Sequence, residues 1–119
     1  MPYIDGFIVP VPKKNLDAYR AMARRAGKIW REHGALEFRE CVADDVKKGK
    51  WTSFPRSVKL KASEIVVFSY IVYKSRKSRD KVLAKVMKDP RLAKDMVPGA
   101  MPFDGKRMIY GGFKSFVEL

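Results

Sequence analysis

The chain has one cysteine and one histidine in 119 residues. A single thiol, Cys41, excludes an intramolecular disulfide framework. One cysteine and one histidine fall short of the ligand number and spacing of a zinc site, and His33 has no second histidine to share a non-haem metal with. Neither a metal nor a cofactor is therefore expected. No run of about 18 apolar residues is present, so no membrane-spanning helix is expected. The N-terminus lacks a basic stretch followed by an apolar one and a cleavage site, so no secretory signal is expected. With the lone thiol, these absences point to a reducing, cytoplasmic setting. Acids are scarce beside bases: 13 Asp and Glu face 26 Lys and Arg, for a formal net charge of +13. Such an excess attracts polyanions, acidic surfaces or anionic small molecules, and says nothing about fold. Low-complexity segments, interdomain linkers and internal repeats are also missing, so residues 1–119 read as a single domain.

What is present alternates in period. Tyr3 to Val11 reads as a strand, with Tyr3, Asp5, Phe7 and Val9 on one face, ended by Pro10 and Pro12 because proline cannot donate to a ladder. A helix follows from Lys13 or Asn15 to His33. Leu16, Tyr19, Ala23, Ala26 and Trp30 recur at spacings of three and four, while Arg20, Arg24, Lys28 and Arg31 fall opposite. Gly34 suits the left-handed position past its last turn. Leu36 to Val46 reads as a second strand. Asp44 to Lys61 is a polar connection whose aromatics, Trp51 and Phe54, are expected to fold back on the body. Glu64 to Tyr73 is a third, strongly apolar strand. Ser75 caps a second helix running to about Lys88. Asp89-Pro90 restarts a short one, with aspartate at the cap and proline at the first helical position, which ends before Pro98-Gly99. Arg107 to Val117 is a terminal strand, entered through a turn bracketed by Pro102 and Gly105. Gly111-Gly112 is expected to interrupt it as a bulge, a bend or a close backbone approach.

The order β-α-β-β-α-β predicts an α+β, ferredoxin-like fold: a four-stranded antiparallel sheet with helices on one face, first and third strands central, second and fourth at the edges. The third strand is apolar on both faces, with Val66, Phe68, Tyr70 and Val72 on one and Ile65, Val67, Ile71 and Tyr73 on the other. A sheet with one wet face should alternate. Helices cover only one face, so a second copy is expected on the other, giving a homodimeric α+β barrel.

Several segments carry a resemblance over nearly the whole chain: Asp5-Gly6-Phe7 with Val9-Pro10-Val11-Pro12, Glu40-Cys41 with Asp44-Asp45-Val46, Val66-Val67-Phe68-Ser69, Arg79-Asp80, Asp89-Pro90-Arg91, and the long run Met101 to Phe113. In these the chain resembles the YbaA-like family of uncharacterised bacterial proteins, within the dimeric α+β barrel superfamily. The resemblance implies the fold and a homodimer, but no activity. Relatives on the same barrel include cofactor-free monooxygenases, haem-degrading enzymes and lactone isomerases, and fold alone does not choose among them. The run Lys47-Lys48-Gly49-Lys50 is more basic than the resemblance leads one to expect.

Candidate site residues are few. Asp5 and Glu40 are acids among apolar strand neighbours, where an unpartnered carboxyl titrates high and suits acid–base work. The alternative is a salt bridge to Arg39, Lys106 or Arg107, which the residues favour. Asp104, Lys106 and Arg107 share the terminal turn, which either holds an anion or is a structural hairpin with solvated cations. Arg107 is the sharper choice, because its planar fork matches a carboxylate, whether a ligand's or that of Asp5 or Glu40. Tyr70 and Tyr110 are further pocket candidates beside Tyr3, Phe7 and Phe113. His33, in the last helical turn, is favoured there by the helix dipole, and Cys41 reads as a buried structural thiol. Three functional classes follow. The chosen one is a cytoplasmic homodimer binding a small molecule, anionic by the charge argument, between sheet and helices. The alternatives are a nucleic-acid-binding protein using its basic surface and a purely structural module. Tyr110 to Val117 matches the RNA-recognition strand motif only loosely, and a dimer would bury that sheet.

Overall fold

The computed structural model describes residues 1–97 and 99–119. In chain order the elements are β1 (Tyr3–Pro12), α1 (Leu16–Glu32), β2 (Glu37–Val42), α2 (Phe54–Ser57), β3 (Glu64–Tyr73), α3 (Arg76–Met87), α4 (Pro90–Ala93) and β4 (Ile109–Lys114), with a single 3₁₀ turn at Lys13–Asn15 leading into α1. The strands form one antiparallel sheet in the order β2-β3-β1-β4, as the ferredoxin-like pattern requires. The expected helix end at Pro98 lies outside the described residues.

Local chemistry explains the boundaries. Ser75 Oγ accepts from the Ser78 N–H to start α3, and Asp89 Oδ1 accepts from the Arg91 N–H to start α4. Gly34, at φ 121°, turns the chain out of α1 where residues with side chains rarely follow. β2 is shorter than expected, ending at Val42. β1 runs through both prolines instead of stopping at them. Lys13 N–H donates to the Ser63 carbonyl, 2.9 Å away, so odd-numbered residues of β1 aim their N–H groups at β3 and even-numbered ones at β4. β4 accompanies β1 only as far as Ile8, so Pro10 and Pro12 lack a donor where no strand awaits one.

The sheet's odd face, in β1 numbering, carries Tyr3, Val9 and Val11 beside Tyr73, Ile71 and Val67, and α1 and α3 lie on it through Tyr19, Ala23, Ile29, Val82 and Val86. Each of these valines and isoleucines, when fully buried, contributes about 1.5–3 kcal/mol relative to leaving it in water. The opposite face departs from expectation. The polar connection folds a short helix whose following residues, Val58 and Leu60, pack on Ile8 and Val66, so the chain partly covers its own second face. Phe54 meets Phe68 edge-on at 6.0 Å. Trp51 does not fold back: it is 87 % exposed. Phe68, Ile109 and Phe113 stay open on this face. β4 is not interrupted at its double glycine; Gly111 and Gly112 pair in register with Gly6 and Asp5.

Candidate functional site

A cavity of about 500 Å³ lies between the odd face of the sheet and the layer formed by α1, α3, α4 and the segment that follows α4. Its floor is set by strand register. One row across the four strands reads Glu40, Ser69, Phe7, Tyr110, and the next reads Phe38, Ile71, Asp5, Gly112. Phe7 and Tyr110 stack at 6.1 Å. Trp30 and Met22 from α1, Leu83 and Met87 from α3, and Met96, Met101, Phe103 and Met108 from the later segment complete the walls. Five of the six methionines of the chain therefore line one cavity, where an unbranched, polarisable side chain fills irregular space.

Three carboxyls line this space: Asp95 is paired with Arg25, while Asp5 and Glu40 are both raised by burial but have different partners. Glu40 accepts a hydrogen bond from Tyr19 Oη at 2.7 Å and one from the Ser69 hydroxyl. Burial pushes its pKa above the ordinary glutamate value, and the two hydroxyls only partly offset this. Tyr19 is pushed up in turn, by burial first and then by the neighbouring carboxylate. Asp5 is 6 % exposed. Burial also raises it, against a hydrogen bond from Tyr73 and the charge of Arg79, whose Nη1 stands 3.5 Å away. Arg79 is held firmly. Its guanidinium lies over the Tyr3 ring at 4.9 Å, Nη2 donates to Tyr3 Oη at 3.2 Å, and Nε is 3.1 Å from Asp80, too poorly aligned for a hydrogen bond. Trp30 Nε1 donates to Tyr73 Oη at 3.0 Å, so the acid end of the cavity is a continuous polar network. Gly112 makes room for it. A Cβ there would sit 2.4 Å from Tyr3 Oη and 2.9 Å from Arg79 Nη2, so of the three reasons for the double glycine, close approach is the one realised.

Asp5, Glu40 and Tyr110 thus meet at one cavity, and the remaining candidates do not. Tyr70 points to the opposite face and donates to Glu37 at 2.9 Å. Asp104, Lys106 and Arg107 lie outside the cavity lining. Arg107 pairs with neither Asp5 nor Glu40, which corrects the expectation. It grips Glu64 with a fork of 2.5 and 2.8 Å, reaches Asp104 at 3.0 Å, and also donates to the carbonyls of Val58 and Lys59. The terminal strand starts at Ile109, not at Arg107 as expected, so Arg107 belongs to the turn. Asp104 caps that turn by accepting from the Lys106 N–H. His33 is a structural residue here, with Nε2 2.9 Å from Asp89 Oδ2 at the start of α4. Cys41 is half-buried on the second face, opposite Phe68.

The residues that sequence reasoning missed are Arg79 and the later methionines. Arg79 had a legible signal, since it precedes Val82, Leu83 and Val86 at spacings of three, four and seven and so shares their face. Met96, Met101 and Met108 sit in a segment without period and gave none. Chemically, the arrangement can enclose an apolar body and offer it a hydrogen-bonding or proton-exchanging carboxyl at Glu40.

Comparison with known proteins bears on the family and the fold. A family model described as a protein of unknown function, DUF1428, matches residues 2–105. The uncharacterized protein YbaA of Escherichia coli K12 is 50 % identical over 118 residues, covering 99 % of both chains, and the Shigella flexneri protein of the same name matches equally. Among solved structures, Rv0793 from Mycobacterium tuberculosis superposes with a TM-score of 0.60 at 13 % identity, covering 99 % of this chain and 98 % of that one. A Nitrosomonas europaea protein named for antibiotic biosynthesis monooxygenases gives 0.58 at 13 % identity, covering 96 % and 89 %. At that identity the structural likeness establishes the ferredoxin-like fold and nothing of the chemistry. By a family match over most of its length and by half-identity to YbaA from end to end, the chain belongs to the DUF1428 family of YbaA-like proteins.

Proposed function

We propose that this protein binds a small, largely apolar molecule in the cavity between sheet and helices. The observation that carries the reading is the enclosure of Asp5 and Glu40, with Ser69, in a space walled mainly by methionine, leucine and aromatic side chains, its other charged groups, Arg79 and Asp95, being held in ion pairs. A core built only for stability would close that space or leave it without acids, because burying a carboxyl costs free energy. The anionic class suggested by the net charge finds little support in the lining, where three acids, Asp5, Glu40 and Asp95, face the one guanidinium of Arg79. We further propose that the protein works as a homodimer joined through the second sheet face. Phe68, Ile109 and Phe113 are 42 %, 44 % and 63 % exposed there, an apolar cluster that a second copy would cover. The half-buried lone thiol agrees with a reducing, cytoplasmic setting. A second reading, nucleic-acid binding, rests on the exposed row Arg20, Arg24, Lys28 and Arg31 along α1.

The test is a thermal-shift screen of small apolar molecules against the protein and against Leu83→Trp, which places an indole in the cavity. Binding to the unmodified protein and loss in the folded variant is the expected result. Shifts that survive Leu83→Trp, or no shift with any compound at millimolar concentration, would dismiss the cavity as a binding site.

A further inference from the structure

Resting on the reading of the cavity as a binding site, we infer that its ligand is an apolar molecule whose polar end is a protonated amine, seated on Glu40, and that carboxylates are selected against. The argument begins with the two acids and their partners. Asp5 is answered by Arg79, and Arg79 stands between the carboxylates of Asp5 and Asp80 with its face on Tyr3. With Arg76 also beside Asp80, two cations meet two carboxylates, so that end of the cavity is already matched in charge. Glu40 is different: its partners are the hydroxyls of Tyr19 and Ser69, and among the described residues it forms no ion pair. A carboxyl in an apolar space without a cation is a site that a cation completes.

Within this cavity the geometry also disfavours the opposite choice, the cations Arg20, Arg24, Lys28 and Arg31 lining a separate groove on the far side of Glu40. A ligand carboxylate at this position would be a third acid beside Glu40 and Asp5, and Arg79 has no charge left to offer it. Like charges brought together out of water repel strongly, since little solvent screens them. Burial of Glu40 acts in the same direction. Desolvation makes the bare carboxylate costly there, and an ammonium group beside it offsets that cost, so a cationic ligand gains a contact that a neutral or anionic one does not. The surrounding methionines accept an apolar body of varied shape, because their thioether chains repack at little cost.

This selectivity runs against the charge of the whole molecule, which makes it testable. A surface of net charge +13 gathers anions and repels cations, so non-specific binding would favour the acid. Calorimetric titration of the unmodified protein with naphthalene-2-methylamine, naphthalene-2-methanol and 2-naphthoate at pH 7 separates the cases. The expected result is an amine bound at least about tenfold more tightly than naphthoate, with that ratio collapsing toward one in Glu40→Gln, which keeps the size of the side chain. An amine-to-acid ratio near one or reversed in the unmodified protein would overturn this inference. If the alcohol still bound, the cavity reading would stand without it. A ratio preserved in Glu40→Gln would also overturn the inference, by showing that another group selects the amine. Failure of all three probes to bind at millimolar concentration would overturn both. The unmodified protein alone decides the sign of the preference, so poor folding of the variant does not shelter the proposal.

Discussion

Glu40 and Gly112 show how much a single residue carries in this protein. Glu40 has its pKa raised by burial, so the folded chain holds the proton more tightly than the unfolded chain does. Stability from that difference is fully present below the unfolded value near 4.5 and is lost as pH rises through the higher folded value. Glu40→Gln keeps the shape and removes the charge. It is expected to melt a few degrees above the unmodified protein at pH 7 and to show no advantage at pH 4, as scanning calorimetry at the two pH values would reveal. An advantage that did not depend on pH would place the effect elsewhere than in the buried charge. Gly112 acts through space. Tyr3 is buried and pinned by Arg79, so it cannot retreat from the Cβ of an alanine. Gly112→Ala should cost about 1–3 kcal/mol in urea unfolding. The neighbouring Gly111→Ala meets only the Phe113 ring at 3.7 Å and should stay within about 0.5 kcal/mol of neutral. Equal effects at both positions would mean that strand pairing, and not the Tyr3–Arg79 stack, demands the glycines.

Between elements, ion pairs fasten the segment that roofs the cavity. At one end Asp89 receives His33 and Arg91, and Arg91 also reaches Glu32; next to it Arg25 holds Asp95 at 2.9 and 3.1 Å. At the other end Arg107 clasps Glu64 and Asp104, and between them Asn15 donates to the Pro102 carbonyl at 3.2 Å. The hydrogen bonds of these arginines hold Glu32, Glu64, Asp89, Asp95 and Asp104 below their ordinary carboxyl values. The sign is therefore opposite to that of Glu40. Their contribution is present above the unfolded values of about 3.8 to 4.5 and disappears as pH falls through the lower folded values. Loss of stability should steepen below about pH 4, with residues 99–108 the first to become sensitive to protease. Arg107→Lys keeps the charge but not the fork on Glu64, and should cost roughly 1–2 kcal/mol while cavity binding is retained. Lost binding at unchanged stability would instead return Arg107 to the site.

At the scale of the whole molecule, two surfaces make opposite demands. The second sheet face is apolar and half covered by the chain's own connection. Phe68→Asp is expected to yield a folded monomer in sedimentation at micromolar concentration, melting below the parent because dimerisation no longer stabilises the folded state. A parent protein that sediments as a monomer would end the dimer proposal. The helical side carries the exposed cations of α1. Binding to RNA and DNA of several sequences should be weak and should collapse between 50 and 200 mM salt, roughly as counterion release requires. Tight, selective binding that persists at the higher salt would favour the nucleic-acid reading instead.

Taken alone, the order of residues determined the sheet, the two main helices and their caps, because periodicity and capping are local. Tyr19, Ala23 and Trp30 at helical spacing, Ser75 before α3 and the unbroken run Ile65 to Tyr73 need no partner to be read. It also singled out Asp5 and Glu40, since an acid among apolar strand neighbours is conspicuous wherever the strand lies. Tertiary structure decided what those acids meet. That Glu40 faces Tyr19 and Ser69 while Arg107 serves Glu64 depends on which strands pair and where β4 begins. A shift of one residue there turns every side chain to the other face. The gathering of Met22, Met87, Met96, Met101 and Met108 around one cavity was hidden for the same reason. Contacts between residues far apart in the chain are made by packing, and no local pattern records them.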